Sequence, residues 1–185
     1  MKKIILFSIL IISIFTTSGK GAVDYHAVIC GIADYQGTSN DLNFCDDDAR
    51  DVRDALLAFN WNSTNITLLI DNAATKTAIQ TAIQSMASVA DSDDVCLFFF
   101  SGHGTTGTDI APLDETDGFD EYLVTYAYSN IRDDELGDWL AALPTDNYVV
   151  LLDTCYSGGH VKSLGSIKGI GQIVPRRMMV LPMTS

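Results

Sequence analysis

The stretch Asp94-Val95-Cys96-Leu97-Phe98-Phe99-Phe100-Ser101-Gly102-His103-Gly104 decides the fold. From Val95 to Phe100 every residue is apolar, with no alternation. Such a run, read as a strand, is covered on both faces and belongs inside a parallel sheet flanked by helices. It then breaks into a histidine with glycine on either side. Tyr148 to Leu152 (YVVLL) has the same make-up and breaks into Asp153-Thr154-Cys155-Tyr156-Ser157-Gly158-Gly159.

Further out, His26 to Ala33 (HAVICGIA) and Asn65 to Ile70 (NITLLI) read as two more strands. Helical patterns alternate with them. Ala49, Val52, Leu56 and Phe59 share one face of a helix over 46–59. Ile79, Ile83, Met86 and Ala90 line a second helix, which Thr75 can cap, and Leu136, Trp139, Leu140 and Leu143 mark a third. Strand–helix–strand alternation predicts right-handed crossovers and an α/β three-layer sandwich, a mostly parallel sheet with helices on both faces. At 185 residues, with no repeat and no Pro/Gly linker, the chain is expected to form one domain over 20–185.

Ligands of such sheets bind beyond the carboxyl ends of the strands. If the strands entering Ser101 and Asp153 are neighbours, His103 and Cys155 leave the same edge and can face each other. Only a thiolate attacks carbonyls well, and a histidine can take the thiol proton and then hand it to a leaving amine. Amide N–H groups around Gly104 and Cys155 offer an oxyanion site. Of the other cysteines, Cys30 and Cys96 sit in apolar strand runs and read as small core residues. Cys45 lies in a polar, turn-rich segment. The spacings of the four match neither a zinc site nor a dense disulfide scaffold.

The formal net charge is −13 and the pI about 4.3, which argues against nucleic acid and anionic lipid as partners. Lys2-Lys3, the apolar run Ile4 to Phe15 and the small or polar Thr16-Thr17-Ser18-Gly19 have the layout of a cleavable export signal over 1–19. The run is short for a membrane span, so no stable membrane insertion is expected after cleavage and the chain is placed as secreted or extracytoplasmic. The alternative is an uncleaved anchor.

The blocks SGHG at 101–104 and DTCYSGG at 153–159, each closing an apolar strand, resemble the catalytic His and Cys blocks of caspase-like cysteine peptidases, specifically metacaspases. Asn40-Asp41-Leu42-Asn43-Phe44-Cys45-Asp46-Asp47-Asp48-Ala49 resembles the family's segment after the first strand. Asp117-Gly118-Phe119-Asp120-Glu121 and Ile131-Arg132-Asp133-Asp134-Glu135-Leu136 resemble its acidic loop. The resemblance implies a caspase-like sandwich and a Cys155–His103 dyad that cleaves peptide or protein substrates after Arg or Lys. It places Cys45, Asp48, Ser101 and Asp153 in the basic-residue pocket, where two carboxylates can hold a guanidinium. It also implies activation by Ca²⁺ at Asp117, Asp133 and Asp134, hard oxygen ligands of the kind calcium takes.

Each assignment has a plainer reading. Asp48, like Asp133 and Asp134, can be a first-turn helix acid, and Asp153 a strand-end cap. The sequence also departs from the family. Lys162 stands near a fourth calcium aspartate, and Tyr126-Ala127 replaces Pro and Asp. Only 30 residues follow Cys155, where the family continues with a smaller subunit, so the domain is expected to be incomplete at its C-terminus. Two other readings therefore stand beside an exported Arg/Lys-specific endopeptidase. One is a catalytically incompetent binding or regulatory module, and the other a related thiol hydrolase of clostripain or legumain type.

Overall fold

The structure, a computed structural model, describes residues 22–154 apart from 38 and 114. The expected export signal, Cys155 and Lys162 lie outside the described residues. The elements are β1 (Tyr25–Gly31), α1 (Cys45–Ala58), β2 (Ile66–Ile70), α2 (Lys76–Val89), β3 (Val95–Ser101), β4 (Gly104–Thr108), β5 (Phe119–Leu123), β6 (Ile131–Arg132), α3 (Asp133–Ala141) and β7 (Tyr148–Asp153).

The apolar run Val95 to Phe100, as β3, lies inside a four-stranded parallel sheet of order β2-β1-β3-β7. It pairs with β1 from Tyr25↔Val95 to Gly31↔Ser101, and with β7 from Cys96↔Tyr148 to Ser101↔Asp153. The strands that lead into His103 and towards Cys155 are therefore neighbours, as the sequence argument required.

Successive strand residues point to opposite faces, and both faces are apolar. Val28, Cys30, Phe98, Phe100 and Leu152 pack with Ile79, Ile83 and Met86 of α2 and Leu136 and Leu140 of α3. Ala27, Ile29, Leu97 and Phe99 pack on the other face with Ala49, Val52 and Leu56 of α1. This is the expected three-layer sandwich. Cys30 and Cys96 are buried within it, and burial pushes the Cys96 thiol up to about 11, so neither is a ready nucleophile. Thr75 caps α2, its hydroxyl accepting from Ala78 N at 3.2 Å.

Two sequence readings need adjustment. Phe59 does not continue the buried face of α1; it follows the helix end and is 79% exposed, because Asn60 takes a positive φ of 65° and turns the chain away. The polar stretch after His103 contains a second, antiparallel sheet of order β4-β5-β6. Its strands are short and β4 is Gly-Thr-Thr-Gly-Thr, so hydropathy gives them no signal. Among the described residues no helix is long and apolar enough to cross a membrane.

Candidate active site

β1, β3 and β7 end level, at Gly31, Ser101 and Asp153. Two backbone bonds carry the register one step further: Ile32 N–H donates to Ser101 O at 3.0 Å, and Gly102 N–H to Asp153 O at 3.2 Å. The start of α1 lies against this edge. A Cβ on Gly31 would stand 2.3 Å from the Cys45 carbonyl oxygen and 2.6 Å from Ala49 Cβ, so only glycine admits the helix here.

That approach brings Cys45 and Asp48 over Ser101 and Asp153. Ser101 Oγ donates to Asp48 Oδ2 at 3.3 Å. Burial pushes the Asp48 carboxyl above the usual carboxylate range; the Ser101 hydrogen bond opposes this, and the charge of Asp153 adds to it. Burial likewise raises the Cys45 thiol, against a Ser101 hydrogen bond and with the charges of Asp48 and Asp153 adding. All four residues expected in the basic pocket thus converge on one spot. Asp48 is a first-turn acid of α1, beside Asp46 and Asp47, and at the same time the acceptor of the Ser101 hydroxyl.

His103 follows immediately. An added Cβ on Gly102 would meet Tyr35 Oη at 2.8 Å, which is why glycine precedes the histidine. Tyr35, 1% exposed, accepts from His103 N–H at 2.7 Å and donates to Val124 O at 3.3 Å. Its ring lies 5.0 Å from the imidazole. His103 Nε2 is 2.9 Å from the carbonyl oxygen of Asn40. A carbonyl can only accept, so Nε2 carries the hydrogen and the neutral ring keeps its acceptor lone pair on Nδ1. Gly104, the expected oxyanion donor, opens β4 opposite Leu123.

Tyr35 and Asn40 were not predicted from the sequence. Tyr35 is a large aromatic within the polar segment Ala33-Asp34-Tyr35-Gln36-Gly37, and that oddity was the available signal. Tyr35→Phe leaves the His103 N–H and the Val124 carbonyl without their partner. It is expected to lower the unfolding free energy by about 1–3 kcal/mol, measured by urea denaturation. A change within about 0.5 kcal/mol, the range of an inconsequential surface substitution, would contradict this role.

The acidic residues gather around β5, β6 and the start of α3. Carboxylate oxygens of Asp120, Asp133 and Asp134 lie within 4.8 Å of one another, as do those of Glu115, Glu121 and Asp133. Asp120 is 1% exposed and Asp133 2%. Arg132 reaches Asp120 at 3.5 Å and Asp134 at 3.3 Å. Among the described residues Asp120 Oδ1 is buried with no hydrogen-bond partner. Asp133 and Asp134 do open α3 as first-turn acids. Asp117 stands outside both groupings, its Oδ1 accepting from Phe119 N–H at 3.2 Å.

A family model described as the caspase domain matches residues 24–176. Metacaspase-4 of Arabidopsis thaliana is 34% identical over 142 residues, covering 73% of this chain and 34% of its own length. Metacaspase-1 of Candida albicans is 33% identical over 161 residues, covering 78% of this chain and 36% of its own. The chain thus spans about a third of the length of these curated relatives. A crystal structure of protein GSU0716 from Geobacter sulfurreducens superposes with a TM-score of 0.59 at 29% identity, covering 75% of this chain and 53% of that one.

Proposed function

Since the chain belongs to the metacaspase and caspase-like family, we propose that it is an exported cysteine endopeptidase that hydrolyses peptide bonds after Arg or Lys. One observation carries this reading: β3 and β7 are adjacent, parallel and level at Ser101↔Asp153, and His103 and Cys155 each lie two residues beyond that pair. Export rests on the N-terminal sequence alone.

Cys155 is the nucleophile. His103 Nδ1 accepts its proton, the thiolate sulfur attacks the scissile carbonyl carbon, and a tetrahedral oxyanion forms beside the amides of Gly104 and Cys155. Collapse breaks the C–N bond, with the histidine returning the proton to the departing amine. Water, deprotonated by the same ring, then hydrolyses the thioester. The Asn40 carbonyl favours the Nε2–H tautomer this cycle needs. Asp48 and Asp153 take the substrate's guanidinium or ammonium, and Ser101 and Cys45 fill the pocket between them. The chemistry is tested by the loss of cleavage in Cys155→Ala, argued in the Discussion.

We propose further that calcium is the activating ion. Its carboxylate ligands would be Asp133 and Asp134 together with Asp120, which the geometry adds; Asp117, expected from the resemblance, lies outside that grouping. The buried, unpartnered Asp120 Oδ1 and the all-carboxylate donor set fit a hard cation. The ion would balance charge and order the loop between β4 and β5. Lys162 in place of an acid predicts weak affinity, with a dissociation constant of about 0.1–1 mM, the range of extracellular modules. Calcium is therefore expected to raise the melting temperature and the cleavage rate together over that range. In Asp133→Asn/Asp134→Asn both responses should vanish. Equal responses in wild type and double variant would leave these two acids as a helix-start pair only.

A further inference from the structure

The imidazole of His103 is held by Asn40, but Asn40 is itself an exposed residue of a polar loop. An exposed loop carbonyl cannot fix a ring unless something fixes the loop. The structure supplies a brace from the segment between β5 and β6. Asn40 Nδ2 donates to Tyr128 Oη at 3.0 Å, and the Tyr128 ring stacks on Tyr35 with centroids 6.0 Å apart. Tyr128 takes a left-handed backbone, φ 57°, which disfavours a bulky residue. The turn that imposes it is closed by Tyr128 N–H to Thr125 O at 2.9 Å and by Thr125 Oγ1 to Ser129 O at 2.9 Å. The same segment grips the loop and the histidine through backbone bonds. Gln36 N–H donates to Tyr126 O at 3.2 Å, and Val124 N–H to His103 O at 2.9 Å.

We propose that Tyr128 is a positioning residue for His103. Its phenol fixes the Asn40 side chain, and Asn40 in turn fixes the Nε2–H of the catalytic imidazole. The strained backbone at Tyr128 is held by the turn so that the phenol reaches Asn40 and the ring reaches Tyr35. This inference rests on the dyad reading given above. It adds that the orientation of the histidine is set from outside the two motifs that carry the dyad. The carbonyl of Asn40 selects the tautomer, while Tyr128 limits how far that carbonyl can drift. A misplacement well under the length of a bond costs rate when a proton must move along a fixed line.

Tyr128→Phe removes the hydroxyl and keeps the ring stacked on Tyr35, and at an exposed site it should leave folding intact. Against an Arg-containing peptide, kcat is expected to fall about three- to tenfold, the range of one lost hydrogen bond, with KM within about twofold. Asn40→Ala should give a similar loss, and the double variant no more than the larger single, because both remove one bond. A second readout needs no turnover: the His103 Nε2–H, held by the Asn40 carbonyl in wild type, should exchange faster with solvent in Tyr128→Phe and its resonance broaden relative to wild type. Unchanged kcat with an unchanged ring resonance would overturn the proposal, as would additive losses. If wild type shows neither cleavage nor labelling of Cys155, the peptidase reading fails. The resonance then decides the brace independently, broadening supporting it and its absence refuting it.

Discussion

Cys155→Ala is expected to abolish cleavage of an Arg-containing peptide while leaving the folded chain in place. Alanine has no nucleophile to offer, and His103 alone can do no more than polarise water. Removing the nucleophile of a comparable dyad or triad costs roughly ten-thousand-fold or more in kcat. The other thiols provide internal controls. Cys30 and Cys96 are buried in β1 and β3, so Cys96→Ala should lower stability and leave the rate per folded molecule nearly unchanged. Cys45 lies beside Ser101 and Asp48 with its thiol pushed up by burial, so under the proposed pocket Cys45→Ser should act on KM before kcat. An electrophile carrying an arginine side chain should label one thiol in wild type and none in Cys155→Ala. Equal cleavage by the two proteins would end the assignment. A wild type that neither cleaves nor is labelled would favour a binding module that keeps the motifs without the activity.

The sheet was legible because its strands are apolar on both faces. Val95 to Phe100 and Tyr148 to Leu152 are apolar throughout, and the structure covers β3 with α1 on one face and α2 and α3 on the other, while β7 at the edge of the described sheet leaves Val149 exposed. Thr75 and the Ile79–Ile83–Met86 face were legible for the same reason, since capping and 3.6-residue spacing are local signals. The antiparallel sheet was not. β4, β5 and β6 are held by pairing across an acidic loop, and pairing between distant short segments leaves no trace in local hydropathy.

The site divides along the same line. His103 announces itself by its place just beyond β3, where chemistry in an α/β sheet is expected, whereas Cys45, Asp48, Ser101 and Asp153 are singled out only by the family resemblance. Tyr35, Asn40 and Tyr128 carry neither signal. Tyr35 acts through a buried hydroxyl 68 residues from the histidine in sequence, and Tyr128 through an exposed one across 88 residues to Asn40. Their roles depend on the second sheet, whose β5 ends just before Val124.

The second large effect belongs to Asp48. Asp48→Asn is expected to lower kcat/KM for a substrate with Arg before the scissile bond by about 30-fold or more, the cost of stranding one buried charge-assisted partner. Asp153, the other carboxylate of the proposed pocket, lies two residues from Cys155, so Asp48 is the cleaner test. The comparison that isolates charge is Arg against citrulline, its uncharged isostere: the preference should collapse in Asp48→Asn while citrulline is processed about as before. Stability should move the other way. Burial, with the charge of Asp153 adding, lifts the Asp48 carboxyl above its ordinary 3.8. The folded state therefore holds that proton more tightly than the unfolded one, and ionising Asp48 costs stability as pH rises from 3.8 through the folded value. Asparagine carries no charge to bury, so at neutral pH the empty variant should melt no lower than wild type. Two carboxylates close enough for the charge of Asp153 to raise the Asp48 carboxyl suit a cationic side chain better than an anionic one. A substrate with Asp at that position cleaved faster than its Arg counterpart would reject the pocket, and a large drop in melting temperature would make Asp48 a structural acid of α1 instead.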